Sequence, residues 1–184
     1  YLKSSFFLLL TALLFSACGS SGGGNVKSAT LVDSAVEGVS YYATSYSGIT
    51  SDSGRFYYVE GETVTFKVGA LTLGSISSIP SDGKVLPQDL AGIARTQKNT
   101  ALINIARFLQ SLDSDANPAN GITISTTTAN AITSTLNIQS ASSSELSSIV
   151  SGVGKTLVSE TVALEHLRTT TASVLGTTFS SFTT

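Results

Sequence analysis

The sequence predicts an α+β protein in which a small antiparallel β-sandwich is followed by a helical region. Two patterns support this class. Over residues 26–87, short runs of β-branched and aromatic residues alternate with polar ones and are separated by Gly, Asp, Ser and Pro, which is typical of strands. Over residues 88–184, apolar residues recur at spacings of three and four, which is typical of helices.

The first 17 residues are predicted to be a signal peptide. An apolar stretch runs from Phe6 to Ala17, follows the positively charged Lys3 and stops directly before Cys18, the only cysteine. A helix needs roughly 20 apolar residues to cross a bilayer, so this stretch is too short for a permanent span. Residues 18–25 are rich in Gly and Ser and are predicted to be a flexible tether.

The segment that ends the apolar stretch, Leu14-Phe15-Ser16-Ala17-Cys18, resembles a bacterial lipobox. The resemblance implies that Cys18 receives a diacylglycerol lipid, which would anchor the mature chain to a membrane. In Gram-negative lipoproteins, an Asp directly after the cysteine marks retention in the inner membrane. Gly19 stands at that place, so the resemblance implies the outer membrane. An acylated Cys18 leaves no thiol for a disulfide or a cysteine nucleophile.

Alternation of apolar and polar residues marks the strands. In one predicted strand the apolar residues Val64, Phe66 and Val68 alternate with Thr and Lys. One face of this strand should therefore be buried and the other exposed to solvent. The same alternation appears over residues 39–43. Gly69-Ala70 predicts a turn into a further short strand.

A hairpin is predicted around the sequence SDSG at residues 51–54. Strands at 48–50 and 55–58 flank this sequence, and Gly54 can adopt the positive φ that a hairpin turn often needs. The two flanking strands should therefore pair with each other.

Two tyrosine pairs give these strands a candidate binding surface. Tyr41 and Tyr42 are neighbours in one predicted strand, and Tyr57 and Tyr58 are neighbours in another. Because neighbours in a strand point to opposite sides, one tyrosine of each pair should be exposed. An exposed tyrosine could stack on a sugar or a peptide, whereas the alternative is core packing with an incidental exposed ring.

The clearest helix of the second half lies within residues 98–113. Leu102, Ile105, Leu109 and Leu112 recur at helical spacing and define one apolar face.

Three further helices are predicted in the Ser- and Thr-rich remainder. Ser142 and Glu145 match a capping box that opens one of them. The other two are expected at about 129–136 and 155–168.

Residues 31–124 resemble a module near the amino terminus of proteobacterial surface lipoproteins and larger secreted proteins. The shared pattern is a GxT turn, then GxFxY and GExVxF, followed by the helix and loop NIARFLQSLDSDANPANGI. The pattern is also similar to the transthyretin-like sandwiches of carboxypeptidase regulatory domains. The resemblance implies a β-sandwich and a spacer or binding role without catalysis.

Composition and motifs argue against several classes of function. The net charge is −2 and charged residues make up 12 %, so the sequence does not predict a positively charged surface that could bind nucleic acid. The sequence GVGKT at residues 152–156 lacks the first glycine of a P-loop, because Ile149 stands there. His166 is the only histidine and is interpreted as a surface residue of a helix, since no motif pairs it with a particular serine and acid.

A polar loop directly after the clearest helix is a candidate calcium site. Asp113, Asp115, Asn117 and Asn120 supply oxygen atoms, the ligands that Ca²⁺ prefers. The spacing begins like an EF-hand loop but places Pro118 where that loop needs glycine, and it has no Glu at the twelfth position. The alternative is a plain turn that ends the helix.

The sequence therefore predicts a protein that is not an enzyme and is anchored by lipid in the bacterial outer membrane. It would act in the cell envelope as a binding or structural module, with an extracellular protein or glycan as ligand. The alternative is the anchoring N-terminal fragment of a longer adhesin or secreted hydrolase, truncated after the helical region.

Overall fold

A computed structural model of the chain describes residues 25–184. Strands and helices both occur within this range, which confirms the predicted α+β class. The strands are β1 (Val26–Leu31), β2 (Val36–Glu37), β3 (Ser40–Tyr42), β4 (Ser47–Ile49), β5 (Arg55–Val59), β6 (Val64–Val68), β7 (Leu71–Ile76), β8 (Lys84–Val85) and β9 (Ile122–Thr123). The helices are α1 (Pro87–Leu90), α2 (Thr100–Ser111), α3 (Thr126–Ala131), α4 (Ser143–Gly152) and α5 (Glu160–Leu175). The predicted signal peptide and Cys18 lie outside the described residues.

The largest sheet is antiparallel, with strand order β4-β3-β6-β7. Val64, Phe66 and Val68 of β6 are fully buried, which confirms the alternation predicted for this strand. The turn between β6 and β7 lies at Gly69-Ala70, as expected, and Gly69 has φ +56°.

The other two sheets contain parallel pairs. β1 lies between β5, which is antiparallel to it, and β8, which is parallel to it. β2 and β9 form a second parallel pair, in which Val36 lies opposite Ile122. These two pairings depart from the predicted antiparallel arrangement. In both parallel pairs the two strands are far apart in sequence, so neither pair is joined by a tight turn.

The predicted hairpin across residues 51–54 is wrong. β4 pairs with β3 and β5 pairs with β1, so the strands on either side of this turn belong to different sheets. The turn itself is present, and Gly54 has the expected positive φ of +73°. A Cβ on Gly54 would lie 2.4 Å from the carbonyl oxygen of Leu31, because the turn passes directly over β1.

Helix α2 lies between two apolar clusters. Ile105, Phe108 and Leu109 belong to the larger cluster, which contains the buried strand residues. Leu102 and Ala106 belong to a smaller cluster with residues of α5. The predicted helix is confirmed, but it is buried on two sides rather than along one apolar face.

Polar side chains connect α2 to the segments around it. Asn104 is 3 % exposed, and its Nδ2 donates to the carbonyl oxygens of Ile138 at 2.9 Å and Ala141 at 2.8 Å. Arg107 Nε donates to the carbonyl oxygen of Val158 at 2.7 Å. These bonds give backbone carbonyl groups of the segments around α2 a side-chain donor inside the fold.

The capping box that was predicted for α4 is confirmed. The side chain of Ser142 accepts from the backbone N–H of Glu145, and the Glu145 carboxylate accepts from the backbone N–H of Ser142. The helix expected at 129–136 lies earlier, because Ser125 caps α3 at its start.

The last helix is displaced from the predicted range of 155–168. It begins at Glu160, and the side chain of Ser159 caps it by accepting a hydrogen bond from the backbone N–H of Val162. It continues to Leu175 and ends at Gly176, whose φ of +63° breaks the helix.

Candidate functional site

The tyrosine pairs are split between core and surface as predicted. Tyr42 and Tyr57 are 49 % and 44 % exposed, whereas Tyr41 and Tyr58 are buried. Tyr42 lies in the four-stranded sheet and Tyr57 in the three-stranded one. The two exposed rings therefore belong to separate sheets.

A pocket of about 390 Å³ adjoins Tyr42. It is bounded by the outward side chains of the four-stranded sheet on one side and by α3 on the other. Its lining includes Tyr42, the exposed Ile49, and the polar side chains of Ser40, Thr126 and Asn130. None of the lining side chains is an acid, a lysine, an arginine or a histidine. The pocket can therefore bind a neutral ligand through stacking and hydrogen bonds.

Close contact between the sheet and α3 shapes this pocket. The backbone N–H of Ala70 donates to the carbonyl oxygen of Ile132 at 2.9 Å. A Cβ on Gly69 would lie 2.3 Å from the carbonyl oxygens of both Ala129 and Ile132. Only glycine fits between the sheet turn and the end of α3, so Gly69 sets the width of the pocket.

The structure brings together three of the four predicted calcium ligands. Asp113, Asp115 and Asn120 line one pocket after α2. Asn117 takes part through its backbone N–H, which donates to Asp113 Oδ2 at 2.8 Å and to Asp115 Oδ1 at 3.0 Å. Asp113 is only 1 % exposed, and its Oδ1 accepts from the backbone N–H of Thr123 at 2.9 Å.

The two carboxylates of this loop differ in their surroundings. Burial raises the pKa of Asp113, and the neighbouring Asp115 carboxylate adds to that rise. Hydrogen bonds from the Asn120 side chain and the Asn117 backbone lower the pKa of Asp115. Protein N–H groups thus already bond the carboxylate oxygen atoms that a cation would need. This favours the alternative interpretation of the loop, a plain turn that ends α2. Calcium binding at this loop stays a prediction.

Lys155, which the incomplete P-loop motif had singled out, also reaches this loop. Its Nζ donates to the carbonyl oxygens of Asp113 at 2.7 Å and Ser114 at 3.2 Å. An ammonium group is therefore held where the dipole of α2 ends. The role of Lys155 in this structure is to connect the segment after α4 with the end of α2.

His166 is not the surface residue expected from the sequence. Its side chain is 14 % exposed, and its Nε2 lies 3.2 Å from Ser34 Oγ and 3.6 Å from Asp33 Oδ1. The same nitrogen lies 3.4 Å from the backbone oxygen of Asp33. Helix α5 and the turn after β1 thus place a serine, an acid and the single histidine together. A triad that activates serine needs the acid and the hydroxyl on opposite ring nitrogens, whereas both contact Nε2 here.

Asp33 is fully buried. Its Oδ2 accepts from Gln110 Nε2 at 3.0 Å, while its Oδ1 has no hydrogen-bond partner within the described residues. Burial raises the pKa of Asp33 to about 6, although the adjacent His166 and the Gln110 bond act in the opposite direction. A carboxylate with one unsatisfied oxygen is unfavourable inside a protein.

Sequence reasoning did not find this cluster. Asp33 and Ser34 resemble ordinary turn residues between two strands, and nothing local indicates that Asp33 is buried. One signal was available for the histidine: His166 lies beside Leu167 and three residues after Ala163, and both of these apolar residues are buried. That spacing places His166 next to the inner face of α5.

Comparison with known proteins gives no relative from which a role could be carried over. No family model, curated protein or solved structure matches the chain. Across residues 25–184, no helix is long and apolar enough to cross a membrane. In the same range, His, Cys, Asp and Glu side chains form no group of three or more that could hold a metal ion.

Proposed function

We propose that the protein is a non-enzymatic, lipid-anchored cell-envelope protein of the bacterial outer membrane that binds a neutral glycan. The anchor rests on the apolar leader and on the segment before Cys18 that resembles a lipobox. The binding role rests on one observation, the pocket beside Tyr42.

The chemistry of this pocket favours a sugar over a charged ligand. The exposed Tyr42 ring offers a flat apolar surface for the C–H face of a sugar ring. Asn130, Thr126 and Ser40 provide amide and hydroxyl groups that can donate and accept hydrogen bonds with sugar hydroxyls. No lining side chain is charged, so a phosphate or a carboxylate would form no ion pair with the wall of the pocket.

The short edge strand β4 supports recognition on this side of the sheet. β4 pairs with β3 alone, and all three of its residues are exposed. Ile49 is 59 % exposed and lies diagonally across from Tyr42 on the paired strand, so the two side chains form one apolar strip. A glycan that occupies the pocket would cover this strip.

The test is binding of residues 19–184 to an array of neutral bacterial surface oligosaccharides. We expect wild-type binding that Tyr42→Ala reduces about five- to thirtyfold, since one stacked aromatic contributes roughly 1–2 kcal/mol. Tyr57→Ala is the matched control, because Tyr57 is equally exposed on a different sheet. Equal loss in both variants, or no binding by the wild type, would contradict the proposal.

A further inference from the structure

We propose that the turn Asp33-Ser34 and His166 form a binding site for one divalent transition-metal cation, with zinc as its representative. Four atoms supply the ligands: the carboxylate Oδ1 and backbone oxygen of Asp33, the hydroxyl of Ser34 and Nε2 of His166. The site shares no residue with the glycan pocket or with the four candidate calcium ligands.

The distances from His166 Nε2 to the three oxygen atoms suit ligands of a shared cation. Two ligands bound to zinc at about 2.1 Å and separated by the tetrahedral angle lie about 3.4 Å apart. From His166 Nε2, the distances to Ser34 Oγ, the Asp33 backbone oxygen and Asp33 Oδ1 are 3.2, 3.4 and 3.6 Å. The last distance is too long for a hydrogen bond, yet it suits two ligands of one metal ion.

The unsatisfied oxygen of Asp33 is the observation that points to a ligand. Asp33 is 0 % exposed, and its Oδ1 faces His166 without any donor in the described part of the chain. A cation would supply the missing partner and offset the cost of the buried negative charge. The imidazole and the carboxylate together favour zinc or a neighbouring transition metal over calcium, which prefers oxygen alone.

A second layer of contacts supports the ligands. Gln110 Nε2 donates to the other Asp33 oxygen at 3.0 Å and to the carbonyl oxygen of Ala163 at 3.1 Å, which orients the carboxylate toward His166. Carboxylates that bind metals are commonly held in this way. Ser34 has φ +57°, a conformation that is unfavourable for residues other than glycine, and in it the hydroxyl lies beside Nε2.

Solvent reaches the site through a pocket of about 370 Å³. Ser34 and His166 form part of its wall, together with Thr169 and Ser173 of α5. A metal ion can reach the imidazole and the hydroxyl from this pocket. Only two of the four ligands, the carboxylate and the imidazole, bind metals strongly, so we expect weaker binding than at sites of four Cys and His ligands. Lys84 also lines this pocket and further limits the affinity through its positive charge.

The experiment measures zinc binding by residues 19–184 at pH 7. This range contains both apolar clusters and excludes the thiol of Cys18. Titration calorimetry should show one zinc per chain, and zinc should raise Tm relative to chelator. Cobalt in place of zinc should give the visible absorption of a four-coordinate site.

The variants separate the ligand role from folding. His166→Gln and Asp33→Asn each remove a strong ligand, while their amides can still form hydrogen bonds, so we expect at least about a tenfold loss of zinc affinity. Ser34→Gly removes the hydroxyl and suits the positive φ; it should weaken zinc binding without lowering Tm in chelator. Asp52→Asn is the matched control, because it changes an exposed acid in the turn before β5 and should leave zinc binding unchanged.

The alternative is that a proton on His166 occupies the place of the metal and forms an ion pair with Asp33. In that case the wild-type chain would bind no stoichiometric zinc. That result would overturn the proposal, as would zinc binding that survives in His166→Gln and Ser34→Gly. Should Asp33→Asn fail to fold, these two variants decide the question.

Discussion

Asn104 tests whether the polar contacts of α2 stabilise the fold. Asn104 donates to two carbonyl groups of the segment that leads to α4, at 2.9 and 2.8 Å. In Asn104→Leu both carbonyl oxygens lose their side-chain donor. The oxygen of Ile138 still accepts from the backbone N–H of Ala141 at 3.4 Å, whereas the oxygen of Ala141 keeps no donor in the described part of the chain. We therefore expect a clear loss of stability, although leucine is apolar and close to asparagine in size.

The magnitude follows from these two losses. A buried carbonyl left without a donor costs about 1–3 kcal/mol, and one of the two is partly compensated, so the polar loss is about 2–4 kcal/mol. Burial of the leucine side chain returns about 1 kcal/mol. The expected net decrease in the free energy of unfolding is about 1–3 kcal/mol.

The assay is urea unfolding of residues 19–184, followed by far-UV circular dichroism. Asn130→Leu is the control, since Asn130 is exposed on α3, and its effect should stay within about 0.5 kcal/mol. Asn104→Asp should be worse than Asn104→Leu, because a carboxylate would face two carbonyl oxygens. Equal stability of Asn104→Leu and the wild type would show that these hydrogen bonds contribute nothing net, and would refute the reasoning.

Two further predictions concern the anchor and the loop after α2. Cys18→Ala should abolish labelling by a fatty-acid analogue in cells and leave an uncleaved precursor, whereas normal processing of this variant would exclude a lipoprotein. Millimolar calcium should raise the Tm of residues 19–184 slightly relative to chelator, and Asp115→Asn should remove the rise. Identical Tm values of the wild type in calcium and in chelator would identify the loop as a helix-ending turn.

Local patterns in the sequence predicted local structure well. The alternation in β6, the capping box at Ser142 and the periodicity around Leu109 each depend on neighbouring residues alone, and each is present in the structure. The exposure of one tyrosine in each pair follows from the same strand geometry.

Pairing between distant segments could not be predicted in this way. The SDSG turn has the composition of a hairpin, yet packing of Gly54 against Leu31 sends its two strands into different sheets. The partner of His166 is equally distant, because Ser34 precedes it by 132 residues. Buried polar residues such as Asn104 were missed since hydropathy patterns assign them to the surface, and only the carbonyl groups of other segments explain their burial.

The parallel pair of β2 and β9 has a consequence for how the chain acquires its structure during synthesis. β2 leaves the ribosome early, but its partner strand begins only at Ile122, and the turn after β1 meets α5 later still. β2 must therefore wait without its partner strand until about two thirds of the chain has been translated. Contacts between such distant residues also slow folding, because a long loop must close before they form. A chain stalled before α5 would expose the apolar residues of α2 that α5 covers, so nascent-chain proteolysis should show protection only after α5 has emerged.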